Sequence, residues 1–141
     1  MSSLFLLATV AGRTVAIPSD QVESVVDIDA VTPIPLAADH IRGLAALRSR
    51  VVTVIDSRRA LGAPGDAPDG RAVVTRVDGH HYAVLVEALD DVVAFEEQPL
   101  PNGVALDGDW GAVARGMIER DREAVLIIDI AALVPGPKIA A

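Results

Sequence analysis

The sequence predicts a mostly β chain made of two small β-barrels fused to one another. Three observations carry this: short β-branched runs recur between turn residues, a Pro- and Gly-rich connector lies near the midpoint, and the second half repeats the first in order and spacing. The chain has 141 residues, of which 51% are hydrophobic, so it has the apolar content for a real core and the length for one ordinary domain or two very small ones.

The expected strands, in chain order, are Leu4 to Val10, Thr14 to Ile17, Val22 to Ile28, Val51 to Ile55, Arg71 to Val77, Tyr82 to Val86, Val92 to Phe95, Val113 to Ile118 and Glu123 to Ile128. Helical signals are few. One turn is expected at Ser19 to Val22, a short helix opens at Asp56 and closes at Gly62, and a counterpart opens at Asp129, with Asp as the N-cap in both. Ala63 to Gly70 holds four Pro or Gly residues and reads as a solvated connector between halves; Gln98 to Gly111 is a second long loop.

Val10, Gly12, Ala16, Val25 and Val26 match Val77, Gly79, Ala83, Val92 and Val93 at an offset of 67 residues. At an offset of 73, Arg42-Gly43 matches Arg115-Gly116, and Val52 to Asp56 matches Val125 to Asp129. Each half is near the lower size limit for an independent core, so two small barrels gain by packing together. The expected division is residues 1–65 for the first barrel and 66–141 for the second, with strand exchange between them left open.

The net charge is −8, which disfavours nucleic acid and anionic lipid as partners. There is no cysteine, which removes disulfides, thiolate zinc sites and thiol nucleophiles. The early apolar run Leu4 to Ala11 is too short to span a bilayer and has no Lys or Arg before it, so neither membrane insertion nor a leader is expected, and a cytoplasmic location is the default.

Candidate chemistry is sparse. His40 stands alone, and the adjacent His80 and His81 point to opposite faces of a strand, so no metal site is expected. Asp107-Gly108-Asp109 lacks the rest of a calcium loop. No nucleophile elbow, P-loop or dinucleotide fingerprint occurs, and Asp90-Asp91 and Glu96-Glu97 read as solvent-facing acids on a sheet edge. No catalytic residue and no cofactor are therefore assigned, leaving a small β-barrel hydrolase as the disfavoured enzyme reading. Charge placement remains: Arg42, Arg48, Arg50, Arg58 and Arg59 face only Asp56 in their stretch, whereas Glu87 to Asp109 holds seven acids and no base. A protein-docking surface is the simplest use of such a lopsided distribution.

The segment His40 to Gly62 resembles the signature of the CheW coupling-protein family of bacterial chemotaxis, through Gly43, Leu44, Leu47, Arg48, Val51, Val52, Val54, Ile55, Asp56, Arg58, Leu61 and Gly62. Val15 to Pro18, Val22 to Val26, Ala83 to Val93 and the late Ile127 to Ile130 run look like other parts of the family, so the resemblance covers nearly the whole chain. It implies two SH3-like five-stranded β-barrels packed on each other, with short helices and no catalytic activity.

By the same resemblance, the function is a non-enzymatic adaptor that couples the cytoplasmic tip of methyl-accepting chemoreceptors to the regulatory domain of a CheA-type histidine kinase. Arg48, Gly43 and Leu47 fall at the implied receptor-binding positions, and Val22, Glu23 and Val25 at the implied kinase-binding positions. The chain departs from the family pattern at Ala46, Ser49, Thr53 and Ser24. A divergent CheW-like module that regulates a kinase or like domain in a non-chemotactic pathway is the alternative.

Overall fold

The computed structural model describes residues 2–48, 50–68, 70–101, 106 and 109–135. The strands are β1 (Ser2–Val10), β2 (Arg13–Pro18), β3 (Ser24–Asp27), β4 (Ile41–Leu47), β5 (Arg50–Asp56), β6 (Arg71–Val77), β7 (His80–Leu85), β8 (Ala88–Glu96), β9 (Ala114–Arg120) and β10 (Glu123–Ile128). Two four-residue helices, α1 (Ser57–Ala60) and α2 (Trp110–Val113), and 3-10 turns at Ser19–Gln21 and Ile130–Leu133 complete the described elements.

These strands make two five-stranded sheets, ordered β8-β1-β2-β10-β9 and β3-β6-β7-β5-β4. Pairing is antiparallel except for β2 with β10 and β5 with β7. The first sheet thus takes β1 and β2 from before the midpoint and its other three strands from after it, and the second sheet does the reverse.

The registers of the two sheets correspond residue for residue. At the offsets read in the sequence, Phe5 opposite Pro18 maps onto Ala72 opposite Leu85, and Val15 opposite Leu126 maps onto Tyr82 opposite Thr53. Ala45 opposite Val52 maps onto Ile118 opposite Val125, and even the irregularity that sets Ile41 opposite Ile55 recurs as Ala114 opposite Ile128.

Side-chain alternation divides the interior into three layers. Leu6, Ala8, Val10, Val15 and Ile17 of the first sheet meet Ile55, Val73 and Val84 of the second in a shared core between them. Phe5, Leu7, Ala16, Ile118, Val125 and Ile127, with Val93 and Phe95 against them, fill the inner face of the first sheet. The inner face of the second carries Ile28, Ala45, Val52, Val54, Ala72, Val74, Ala83 and Leu85, with Val26 and Leu47 against them. The hairpins β1-β2 and β6-β7 are covered on both faces, which is why they read as continuous apolar runs and not as alternating ones.

Several details differ from the sequence reading. β4 was not among the expected strands: Gly43-Leu44-Ala45-Ala46-Leu47 has no β-branched residue, and it forms a strand because β5 pairs with it from Ile41 to Leu47. The sheets curl without closing into barrels. Instead, Thr32 and Leu44 exchange backbone N–H···O bonds of 2.8 and 2.9 Å across the seam of the second sheet, and Gln98 and Met117 do the same at 2.8 Å across that of the first. The connector is not simply solvated, since Ala67 is buried and donates its N–H to Asp56 Oδ1 at 3.0 Å. The end of the second loop turns into α2, whose Trp110 joins the shared core under the Arg13 guanidinium, 4.9 Å from the ring centroid.

Candidate functional site

Glycine marks the points where each seam is drawn together. Gly43 has φ +148°, and a Cβ there would lie 2.2 Å from the Thr32 carbonyl oxygen, so only glycine allows the Thr32–Leu44 bridge. Its counterpart Gly116 lies against the other bridge at a longer distance, with a Cβ position 2.8 Å from Gln98 O. Gly43 is buried, and the close approach its sequence position requires is to its own chain.

Above the bridge, the seam of the second sheet widens into a groove of about 810 Å³ between β3 with its continuation to Thr32 on one side and β4 with the start of β5 on the other. Leu44, Ala45, Ala46, Leu47 and Arg48 form one wall, Val26, Ile28, Asp27 and Asp29 the other, and Val74 the floor. Arg48 stands at the tip of the β4-β5 hairpin with φ +35°, as a two-residue connection demands of its first residue. Ser49 lies outside the described residues.

The expected charged surface is mostly consumed within the fold. Asp56, fully buried, caps α1 by accepting from the N–H groups of Arg58 and Arg59, and it accepts from Arg42 Nη2 at 2.6 Å. Arg58 Nε donates to Glu87 Oε1 at 2.6 Å, and the same carboxylate accepts from Gly12 N, which ties α1 to the β1-β2 turn. Arg59 pairs with Asp39 and Asp66, the former being the larger cause that holds its guanidinium still more firmly in the charged form. Arg50 donates to Glu23 at 3.2 Å. Of the five arginines between positions 42 and 59, Arg48 alone has neither a hydrogen bond nor an ion pair among the described residues. The acidic stretch is likewise engaged, with Asp90 on Arg120 and Glu97 on Arg115. Most of the opposite charges that looked like separate patches are paired with each other or with groups elsewhere in the fold.

The structure brings Leu47, Arg48 and Glu23 to a single groove, although the sequence reading assigned them to two partners. Glu23 is held there by Arg50 and by His81 Nε2, 3.0 Å away. Val25 is 40% exposed on the other face of β3, and Val22 is half-buried against the shared core. Of the departures from the family pattern, Ala46 and Ser24 line the groove and Thr53 is half-buried in β5. Val26, Ile28, Ala45 and Val74 were missed as lining residues; comparing residue sizes between the repeated halves would have found the last three, which stand where Phe95, Ile118 and Leu7 stand in the other half.

The remaining candidates behave structurally. His40 is buried and hydrogen-bonds Val134 O at 2.7 Å, His80 is exposed, and Asp90, Asp91, Glu96 and Glu97 are exposed on or just after the edge strand β8. Of the Asp107 to Asp109 motif, the first two residues lie outside the described residues. Among the described residues, no three His, Asp or Glu side chains gather as a metal-ligand set, and no helix is long and apolar enough to cross a membrane.

Comparison with known proteins gives a consistent result. Residues 4–137 match the family model of the CheW-like domain. The chain is 24% identical over 119 residues to the chemotaxis protein CheW of Thermotoga maritima, covering 84% of this chain and 78% of that protein. It superposes on the crystal structure of the scaffolding protein TtCheW from Thermoanaerobacter tengcongensis with a TM-score of 0.77 at 23% identity, covering 92% of this chain and 90% of that one.

Proposed function

The chain belongs to the CheW-like domain family, and from that premise we propose that it is a non-catalytic adaptor, joining the cytoplasmic tip of a chemoreceptor to the regulatory domain of a CheA-type histidine kinase. The observation that carries this reading is the state of Arg48: exposed at a hairpin tip beside an open groove, with no partner among the described residues while its four neighbouring arginines are all engaged. A charged side chain left over after the fold has satisfied the rest is available for an interface.

In this proposal the receptor contacts Arg48 and the adjoining Leu47, and Gly43 supports them by holding β4 against Thr32. The kinase contacts the β3 side through Val25, with Glu23 and the exposed edge of Val22 beside it. The adaptor works by linkage: once both partners are held on one rigid body, a change in the receptor biases the kinase equilibrium by the difference in contact free energy between its states. The chemotaxis role of the Thermotoga maritima relative and the scaffolding role of TtCheW support the same pathway and the same kind of function.

The test is co-elution. The chain is mixed with a kinase regulatory domain and with a soluble receptor cytoplasmic fragment, singly and together, and run on a sizing column. A three-component peak is expected. Co-elution with the kinase domain alone would favour a regulatory module outside chemotaxis, a reading consistent with the substitutions Ala46 and Ser24 on the groove wall. Co-elution with neither would overturn both readings.

A further inference from the structure

Among the described residues, one large apolar side chain stands wholly outside the fold. Ile34-Pro35-Leu36-Ala37 is a turn closed by Ala37 N donating to Ile34 O at 3.3 Å, with Pro35 second and Leu36 third. Leu36 has φ +64°, the left-handed conformation that a type II turn requires at its third residue and that glycine adopts without strain. A leucine there costs backbone energy and returns nothing to the fold, since Leu36 is 105% exposed and Ile34 beside it 37% exposed. Strain held without any gain in packing points to a contact made outside the monomer.

The knob so formed is pinned on both sides. Thr32 exchanges backbone bonds with Leu44 before it, and Ile41 N donates to Ala38 O at 2.9 Å after it, so the turn cannot fold back across the bridge into its own chain's groove. Its flank carries Asp39, whose side chain is 81% exposed, and the Arg59 that pairs with it. The groove beyond the bridge offers the complement. Val26, Ile28, Ala45 and Val74 make it apolar, and of its charged lining residues Glu23 pairs with Arg50 and Asp27 with Arg71, whereas Arg48 and Asp29 have neither a hydrogen bond nor an ion pair among the described residues.

We infer that the chain self-associates head to tail, Leu36 of one copy inserting between β3 and β4 of a second copy, with Asp39 of the first facing Arg48 of the second. Charge selects this occupant: the Asp39 and Arg59 flank of the knob meets a rim whose free groups are Arg48 and Asp29, a base for the acid and an acid for the base. Two knobs set against each other would instead bring together the Asp39 and Asp66 carboxylates of both copies, which disfavours a symmetric pair. Because knob and groove are different surfaces of one molecule, the contact is heterologous, and each copy added leaves a knob and a groove free at the ends. One leucine and its rim form a small contact, so a dissociation constant of about 10 µM to 1 mM is expected. The contact requires no kinase or receptor, and its fate is independent of the adaptor reading.

The test is sedimentation velocity on the full chain and two single variants. Leu36→Gly removes the knob and suits the turn, so it is expected to melt at or above the wild-type temperature. Arg48→Glu reverses the free charge on the groove rim and is expected to melt within a few degrees of wild type. The wild type is expected to sediment faster as its concentration rises to about 1 mM, and each variant alone to stay monomeric. Mixed one to one, the two variants are expected to form a dimer and nothing larger, because Arg48→Glu still carries a knob and Leu36→Gly still carries an intact groove. A wild-type chain that stays monomeric throughout the range, a folded variant that associates as the wild type does, or a mixture that remains monomeric overturns the inference. Should Arg48→Glu fail to fold, Ala45→Ile blocks the groove in its place and the same mixing result decides the matter.

Discussion

The first and second sheets share one hydrogen-bond pattern, the same parallel pairing at the centre and the same bridged seam, yet Phe5, Phe95 and Ile118 fill one while Ala72, Ile28 and Ala45 leave the other open. The hairpin tips diverge in the same way: Arg48 at the tip of β4-β5 corresponds to Asp121 at the tip of β9-β10, both with positive φ. The difference teaches that register and seam geometry belong to the shared framework, whereas side-chain volume at these positions and the sign of one charge distinguish the grooved sheet from the filled one.

The largest contrast is expected at the two capping aspartates. Asp56 is fully buried and satisfies Arg42, the Ala67 N–H and two α1 N–H groups at once, whereas Asp129 accepts from Ala131 N and Gln21 Nε2 in a partly buried setting. Asp56→Ala leaves the Arg42 guanidinium without its buried partner and is expected to cost about 3–5 kcal/mol. Asp129→Ala is expected to cost about 1–2 kcal/mol, the range for a lost cap. Denaturant melts of the two variants check this, and equal losses would mean that the two caps carry equivalent loads.

At the seams, Gly43→Ala is expected to cost about 1–3 kcal/mol through its positive φ alone, with the clash against Thr32 O adding to it. Gly116→Ala meets Gln98 O at a longer distance and is expected to be milder. Hydrogen exchange at the amides of Leu44 and Met117 separates the two, since each amide donates across its own seam.

A smaller contrast comes from adding volume. Ala16→Ile overpacks the filled interior and is expected to cost about 1–3 kcal/mol, while Ala45→Ile is expected to change stability by less than about 1 kcal/mol because the groove receives the side chain. Thermal melts in parallel give the answer, and equal destabilisation would show that the second interior is as full as the first.

Much of this comparison was legible in the sequence, and the exceptions have physical causes. The β-branched runs, the Asp56 and Asp129 caps and the two offsets depend on neighbours within a few residues or on simple repetition, and the structure has all three. β4 was illegible because Gly, Ala and Leu carry no strand preference of their own and take their conformation from pairing with β5. The fate of the arginines was illegible for a different reason: Arg58 meets Glu87 from 29 residues away, and Arg50 meets Glu23 from 27, so local charge counts mistook internal partners for a docking patch. Arg48 was singled out only through the family resemblance, and the reason it stands apart is visible only once its neighbours' partners are known. The groove required comparing inner positions across two sheets assembled from exchanged halves, which no single stretch of sequence displays.

The most direct test sets the two hairpin tips against each other in a reconstituted assembly of receptor fragment, kinase and this chain, with kinase autophosphorylation as the readout. Arg48→Glu is expected to abolish most receptor-dependent activation while melting within a few degrees of wild type, and Asp121→Arg at the matching tip is expected to leave activation unchanged. Full activation with Arg48→Glu, or equal loss from both substitutions, would contradict a docking face confined to the second sheet.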